Sequence, residues 1–154
     1  MFDDLRDLYQ EVILDHGRKP RNFRRLEDAD RTARGDNPMC GDRMELFLKL
    51  AQDGSIEDAA FQGRGCAIST ASASLLTETI KGKTPAQAHA LSGRFRELAM
   101  TGSCPDCGAE LEEEMERLQP LSGVHEYPSR VKCATLAWHT LNAALDGAKE
   151  ASSE

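Results

Sequence analysis

Apolar residues alternate in one stretch of this chain and recur at helical spacing in the stretches around it. The switch between the two periods, at Cys66, is what most narrows the possible folds. In "RMELFLKLA", Met44, Leu46, Leu48 and Leu50 fall on one side and Glu45 and Lys49 on the other, the period of a half-buried strand. "QDGS" supplies a hairpin turn and "IEDAAFQGRG" a return strand. "DADRTARGDNP" adds a third strand ahead of them. From Cys66 onward, Ile68, Ala71 and Leu75, with Leu76 and Ile80 beside them, follow helical spacing. The small residues of "STASAS" suit close packing of that helix against the sheet.

Helices account for the remainder. Leu5, Leu8, Tyr9, Val12 and Ile13 mark an apolar face on a first helix that ends near His16 and Gly17. Gly82 stops the helix that begins at Cys66. Thr84 as N-cap and Pro85 in the first helical position open another. A short acidic helix carries Leu111, Met115 and Leu118. Val131, Ala134, Trp138, Leu141 and Leu145 mark a closing helix that starts at Pro128 and Ser129 and stops at Gly147. Segregated strands and helices predict an α+β fold, a small three-stranded antiparallel sheet packed with helices. The 154 residues make one domain, 1–154.

Charge and composition exclude several classes of function. The net charge is −7, with no basic stripe interleaved with aromatics, so nucleic acid is not an expected partner. "GRKPRNFRR" is the one concentrated positive patch and reads as a solvated connector or a docking surface. No segment has the roughly 18 apolar residues of a membrane span, and the N-terminus is acidic rather than signal-like. A cytoplasmic location is the expectation, with no membrane partner. There the five cysteines are expected to be reduced.

Three cysteines have comparable surroundings. Cys40 lies in the loop "DNPMCGDRM", Cys66 where a strand hands over to a helix, and Cys133 at the start of the closing helix. Helix N-termini favour thiolate, the form that binds metal and attacks sulfur. Gly41, Gly63 and Gly65 permit close backbone approach. Singly, each cysteine reads as a small buried hydrophobe and Asp42 as a turn residue. Jointly, Cys40, Asp42, Cys66 and Cys133 offer three thiolates and one carboxylate, enough for the four-ligand shell of zinc. Lys132 and Arg130, one and three residues before Cys133, would offset the negative charge of such a site. His16, His89, His125 and His139 join no cysteine motif and are not expected to be ligands.

"LYQEVILDHGRKPRNF", "NPMCGDRMELFLKL", "FQGRGCAISTASASLLTE" and "YPSRVKCATLAWHTL" resemble the SufU and IscU family of iron–sulfur cluster assembly proteins, in order and over nearly the whole chain. The resemblance implies a SufE/IscU-like fold and one shared metal or cluster site on Cys40, Asp42, Cys66 and Cys133. Lys132 stands where IscU scaffolds have a histidine, and the chain has an extended segment at about 92–123. Both features resemble the SufU branch. That branch implies a zinc-dependent sulfurtransferase that accepts persulfide sulfur from a SufS-type cysteine desulfurase and passes it to a downstream scaffold or other acceptor. Cys40 would be the catalytic acceptor, freed when a desulfurase histidine replaces it on zinc.

Two other readings stay open. One is a scaffold that holds iron or a nascent iron–sulfur cluster on the same ligands. The other is a structural zinc protein with an unrelated binding role. Cys104 and Cys107, in "SCPDCGAE", depart from the family pattern. They read as a second thiol pair: half a zinc site, a redox pair or inert thiols.

Overall fold

The predicted strands pair as an antiparallel meander. The structure, a computed structural model, describes residues 2–38, 41–104 and 110–152, with side chains from residue 8 to residue 151 of these. Strands β1 (Arg31–Asn37), β2 (Asp42–Leu50) and β3 (Ile56–Arg64) follow one another in the sheet. The register sets Asn37 opposite Asp42 and Arg43 opposite Arg64. Inward positions of β2 alternate as the sequence requires: Asp42, Met44, Leu46 and Leu48 are buried.

A fourth strand corrects the expectation of three. β4 (Glu150–Ser152) runs parallel to β1, and the sheet is mixed, in the order β3-β2-β1-β4. Three residues without an apolar alternation leave no periodic signal. They pair because the turn after the last helix, at Gly147, returns the chain along β1.

The helices are α1 (Phe2–Arg18), α2 (Ala67–Ile80), α3 (Pro85–Thr101), α4 (Glu112–Leu118) and α5 (Pro128–Leu145), with a 3₁₀ segment at Gln119–Glu126. Thr84 caps α3 in a full capping box with Gln87. Leu46, Leu48, Leu75, Leu76, Leu91, Leu98 and Leu141 are almost fully buried, each contributing about 1.5–3 kcal/mol from burial. Phe95 stacks on Trp138 at 4.9 Å between centroids and fixes α3 against α5.

The small residues of α2 allow close approach to helices as well as to the sheet. Ser72 Oγ donates to the Ala134 carbonyl of α5 at 2.5 Å, and Ser74 Oγ meets His16 Nδ1 of α1 at 2.7 Å. The apolar face expected on α1 is only partly covered: Leu8 is 54% exposed, and the Leu5 side chain lies outside the described set. The helix is held instead by His16, the one buried residue among its described side chains.

The basic connector is largely consumed within the fold. Arg21 pairs with Asp15 at 2.6 Å and Arg24 with Asp58 at 2.8 Å. Arg25 lies over the Phe47 ring. Among the described residues, no helix is long and apolar enough to cross a membrane.

Candidate metal centre

Three side chains from three elements converge at one end of the sheet. Asp42 opens β2, Cys66 caps α2 and Cys133 lies in α5. One ligand atom from each falls within 4.8 Å of the other two. The residues were predicted together, and the fold delivers them from distant parts of the chain.

Asp42 is 2% exposed. Its Oδ1 accepts the Cys66 backbone N–H at 3.0 Å, and its Oδ2 lies 3.9 Å from the Cys66 sulfur. Among the described residues, its hydrogen bonds come from Cys66 alone. Gly65 makes this possible, since a Cβ there would lie 2.6 Å from Asp42 Oδ1 and closer still to Ser69 Oγ. Gly41 serves differently from the expectation of close approach. Among the described residues nothing lies near where its Cβ would be, but its φ of +74° requires a residue that accepts left-handed backbone. Its N–H donates to the Asn37 carbonyl at 2.9 Å and closes the loop between β1 and β2.

Cys66 is the N-cap of α2, and its sulfur accepts the Ser69 N–H at 3.4 Å. A thiolate there takes up an otherwise orphaned helix donor. Cys133 departs from the predicted first turn. It is the sixth residue of α5, in the second turn, beyond the free N–H groups. Its sulfur is fully buried, 3.6 Å from the Ser129 carbonyl oxygen and 3.9 Å from Asn37 Nδ2. Arg130 sits against both sulfurs. A hydrogen bond with Cys133, then the charges of Cys66 and Cys133, hold its pKa above the ordinary value. Lys132 precedes Cys133 in the same helix.

Cys40 lies outside the described residues, as does Cys107. Cys104 is half-buried against the core, 3.5 Å from a Glu97 carboxylate oxygen. It is disulfide-bonded, which corrects the expectation that all five cysteines are reduced. Cys66 and Cys133 are in no disulfide, so its partner is outside the described residues. Among the described residues, no histidine joins the cluster. His16 bonds Ser74, His89 lies between Asn142 and Asp146, and His125 meets the Ser122 carbonyl.

Two contributors escaped the reading of the sequence. Ser69 was legible in principle, because a cap three residues before it implies its N–H as partner. Asn37 gave no signal beyond lying in the same loop stretch as Cys40.

The donor set suits a divalent ion that accepts both sulfur and oxygen. Two sulfurs and a buried carboxylate, gathered from three separate elements, fit zinc or iron better than a purely oxygen-loving ion.

A model of the NifU-like N-terminal domain matches residues 8–134. The chain belongs to that family, with the SufU and IscU proteins of iron–sulfur cluster assembly. It is 43% identical over 138 residues to the zinc-dependent sulfurtransferase SufU of Bacillus subtilis (strain 168), covering 90% of this chain and 89% of the relative. It is 38% identical over 141 residues to the iron–sulfur cluster assembly scaffold protein IscU of Streptococcus pyogenes serotype M1, covering 92% and 84%. Among solved structures, FiSufU from Fervidobacterium islandicum AW-1, described as a candidate scaffold of the SUF system, superposes with a TM-score of 0.78. It shares 33% identity and covers 88% of this chain and 94% of its own.

Proposed function

We propose that the protein is a zinc-dependent sulfurtransferase of iron–sulfur cluster assembly, with zinc held by Cys40, Asp42, Cys66 and Cys133. The observation that carries this is the convergence of Asp42, Cys66 and Cys133 within 4.8 Å from three elements. Cys40 stands two residues before Asp42, a backbone span of at most about 7 Å. Lys132 in place of a scaffold histidine, and the 43% identity to a zinc-dependent sulfurtransferase, favour this reading over the scaffold. The stretch at about 92–123 is proposed as an insertion of the SufU branch within a single domain 1–154. Its Phe95, Leu98, Leu111, Met115 and Leu118 are built into the core.

A bound zinc ion would hold the cysteine sulfurs deprotonated at neutral pH. The chain's own residues then divide the work. Cys66 and Cys133 are set in helices and stay in place. Cys40, beside Gly41 in the sequence, is the ligand proposed to leave. Its thiolate attacks the outer sulfur of a persulfide on a SufS-type cysteine desulfurase. The S–S bond of that persulfide breaks, the desulfurase cysteine leaves as thiolate, and Cys40 carries the new persulfide. Arg130 and Lys132 offset the negative charge around the thiolates.

The IscU relatives support a second reading, a scaffold for a nascent iron–sulfur cluster on the same ligands. Metal analysis followed by a desulfurase assay separates the two. About one zinc per chain, with faster cysteine turnover by the desulfurase that Cys40→Ser abolishes, is the expected result. A protein that takes up an iron–sulfur cluster and leaves the desulfurase unstimulated would establish the scaffold reading instead.

A further inference from the structure

Asn37 ends β1 directly opposite Asp42. Its side chain is fully buried. Its Nδ2 lies 3.9 Å from the Cys133 sulfur, at the long end for a sulfur acceptor. Among the described residues, its Oδ1 has no hydrogen-bond partner. A buried amide with one end unsatisfied is destabilising, so stability alone does not account for it. The arrangement has a simple electrostatic logic. An amide beside a sulfur anion turns its N–H toward the sulfur, and the carbonyl is left without a donor among the described residues.

We propose that Asn37 is a positioning residue that donates its side-chain N–H to the Cys133 sulfur and keeps that sulfur as a retained, weakly nucleophilic ligand. This deepens the sulfurtransferase reading and rests on it. As a thiol, Cys133 is placed to donate to the Ser129 carbonyl. As a metal-bound thiolate it has no proton to give, and the Asn37 amide, with the Arg130 guanidinium, becomes its donor. Cys66 has the corresponding donor in the Ser69 backbone N–H. Both helix-borne sulfurs are therefore tied down, and sulfur transfer is directed to Cys40. A hydrogen bond to a ligating sulfur draws in its lone pair and lowers its reactivity.

Cobalt(II) substituted for zinc in the full chain tests this without reference to activity, through the thiolate-to-cobalt charge-transfer band. Removing a donor raises the energy of the sulfur lone pair, so the band should move to longer wavelength in Asn37→Leu. Leucine keeps the volume and removes both the donor and the orphaned carbonyl. Should Asn37→Leu fail to fold, Asn37→Ser, whose side chain is too short to reach, is read in the same way. Leu136→Ala loosens packing beside Asp42 without touching the donor and should leave the band in place. An unmoved band in a folded Asn37 variant, or an equal shift in Leu136→Ala, overturns the proposal alone. A parent protein with no thiolate-to-cobalt band removes the metal reading and this proposal with it.

Discussion

Asp42 and Asp58 are both carboxylates of the same three-strand meander, and the chain treats them in opposite ways. Asp58 lies toward the β2–β3 turn, on the exposed side of β3. It meets Arg24 at 2.8 Å and Lys81 at 3.2 Å, with its side chain 29% exposed. Lys49 and Asp28 form another pair across the same region. Asp42, at the opposite end, is 2% exposed and takes no salt bridge among the described residues. It faces two cysteine sulfurs and a buried amide whose oxygen has no partner among the described residues. Where polar groups serve the fold, the chain neutralises them locally. Where Asp42, Cys66 and Cys133 gather, Arg130 lies against the sulfurs and the carboxylate has no salt bridge among the described residues, a donor set open to a metal ion.

The comparison breaks most visibly at Cys66. Cys66→Ala removes a ligand and the sulfur cap of α2 together. We expect loss of stoichiometric zinc and a large fall in melting temperature, because metal-binding energy is also folding energy. A variant that binds zinc and melts like the parent would place the metal elsewhere.

Asp42→Ala should separate the metal's needs from the fold's. The domain is expected to remain folded by circular dichroism, with zinc lost to a competing chelator at least about tenfold more readily, a loss of about 1.4 kcal/mol in binding. Unchanged competition would show that Asp42 serves only to hold the Cys66 backbone.

Asp58→Asn should have a small effect, below about 1 kcal/mol, and none on zinc. Its pH dependence is specific. Burial alone would raise the Asp58 pKa, but the hydrogen bonds from Arg24 and Lys81 outweigh it and hold the value below the ordinary 3.8. With the folded pKa depressed, the ionised group stabilises the fold at all pH above 3.8 and ceases to do so as pH falls through the folded value. The difference in melting temperature between parent and Asp58→Asn should therefore be flat at neutral pH and vanish in strong acid. A difference that grew on acidification would contradict the pairing.

How far the sequence carried the account follows the same division. Strands β1 to β3 and the helices α2, α3 and α5 were legible because long segments repeat one period and end at Gly82, Thr84, Pro85, Pro128 and Gly147. β4 was not, since Glu150, Ala151 and Ser152 pair through tertiary position rather than pattern. The 3₁₀ segment at Gln119–Glu126 was also missed, because Pro120 and Gly123 read as loop. At the site, thiol and carboxylate chemistry marked Asp42, Cys66 and Cys133 in advance. Asn37 was invisible because an amide before proline is ordinary in a turn, and only burial and register reveal what it faces.

The division of labour among the cysteines is the central claim, and the position of the transferred sulfur tests it most directly. The zinc-loaded protein, incubated with a SufS-type desulfurase and cysteine and then mapped by mass spectrometry, should carry the added sulfur on Cys40. The double variant Cys104→Ser with Cys107→Ser should carry it there to the same extent. Sulfur found on Cys133, or on Cys104 or Cys107 in the parent with transfer lost in the double variant, would contradict the account.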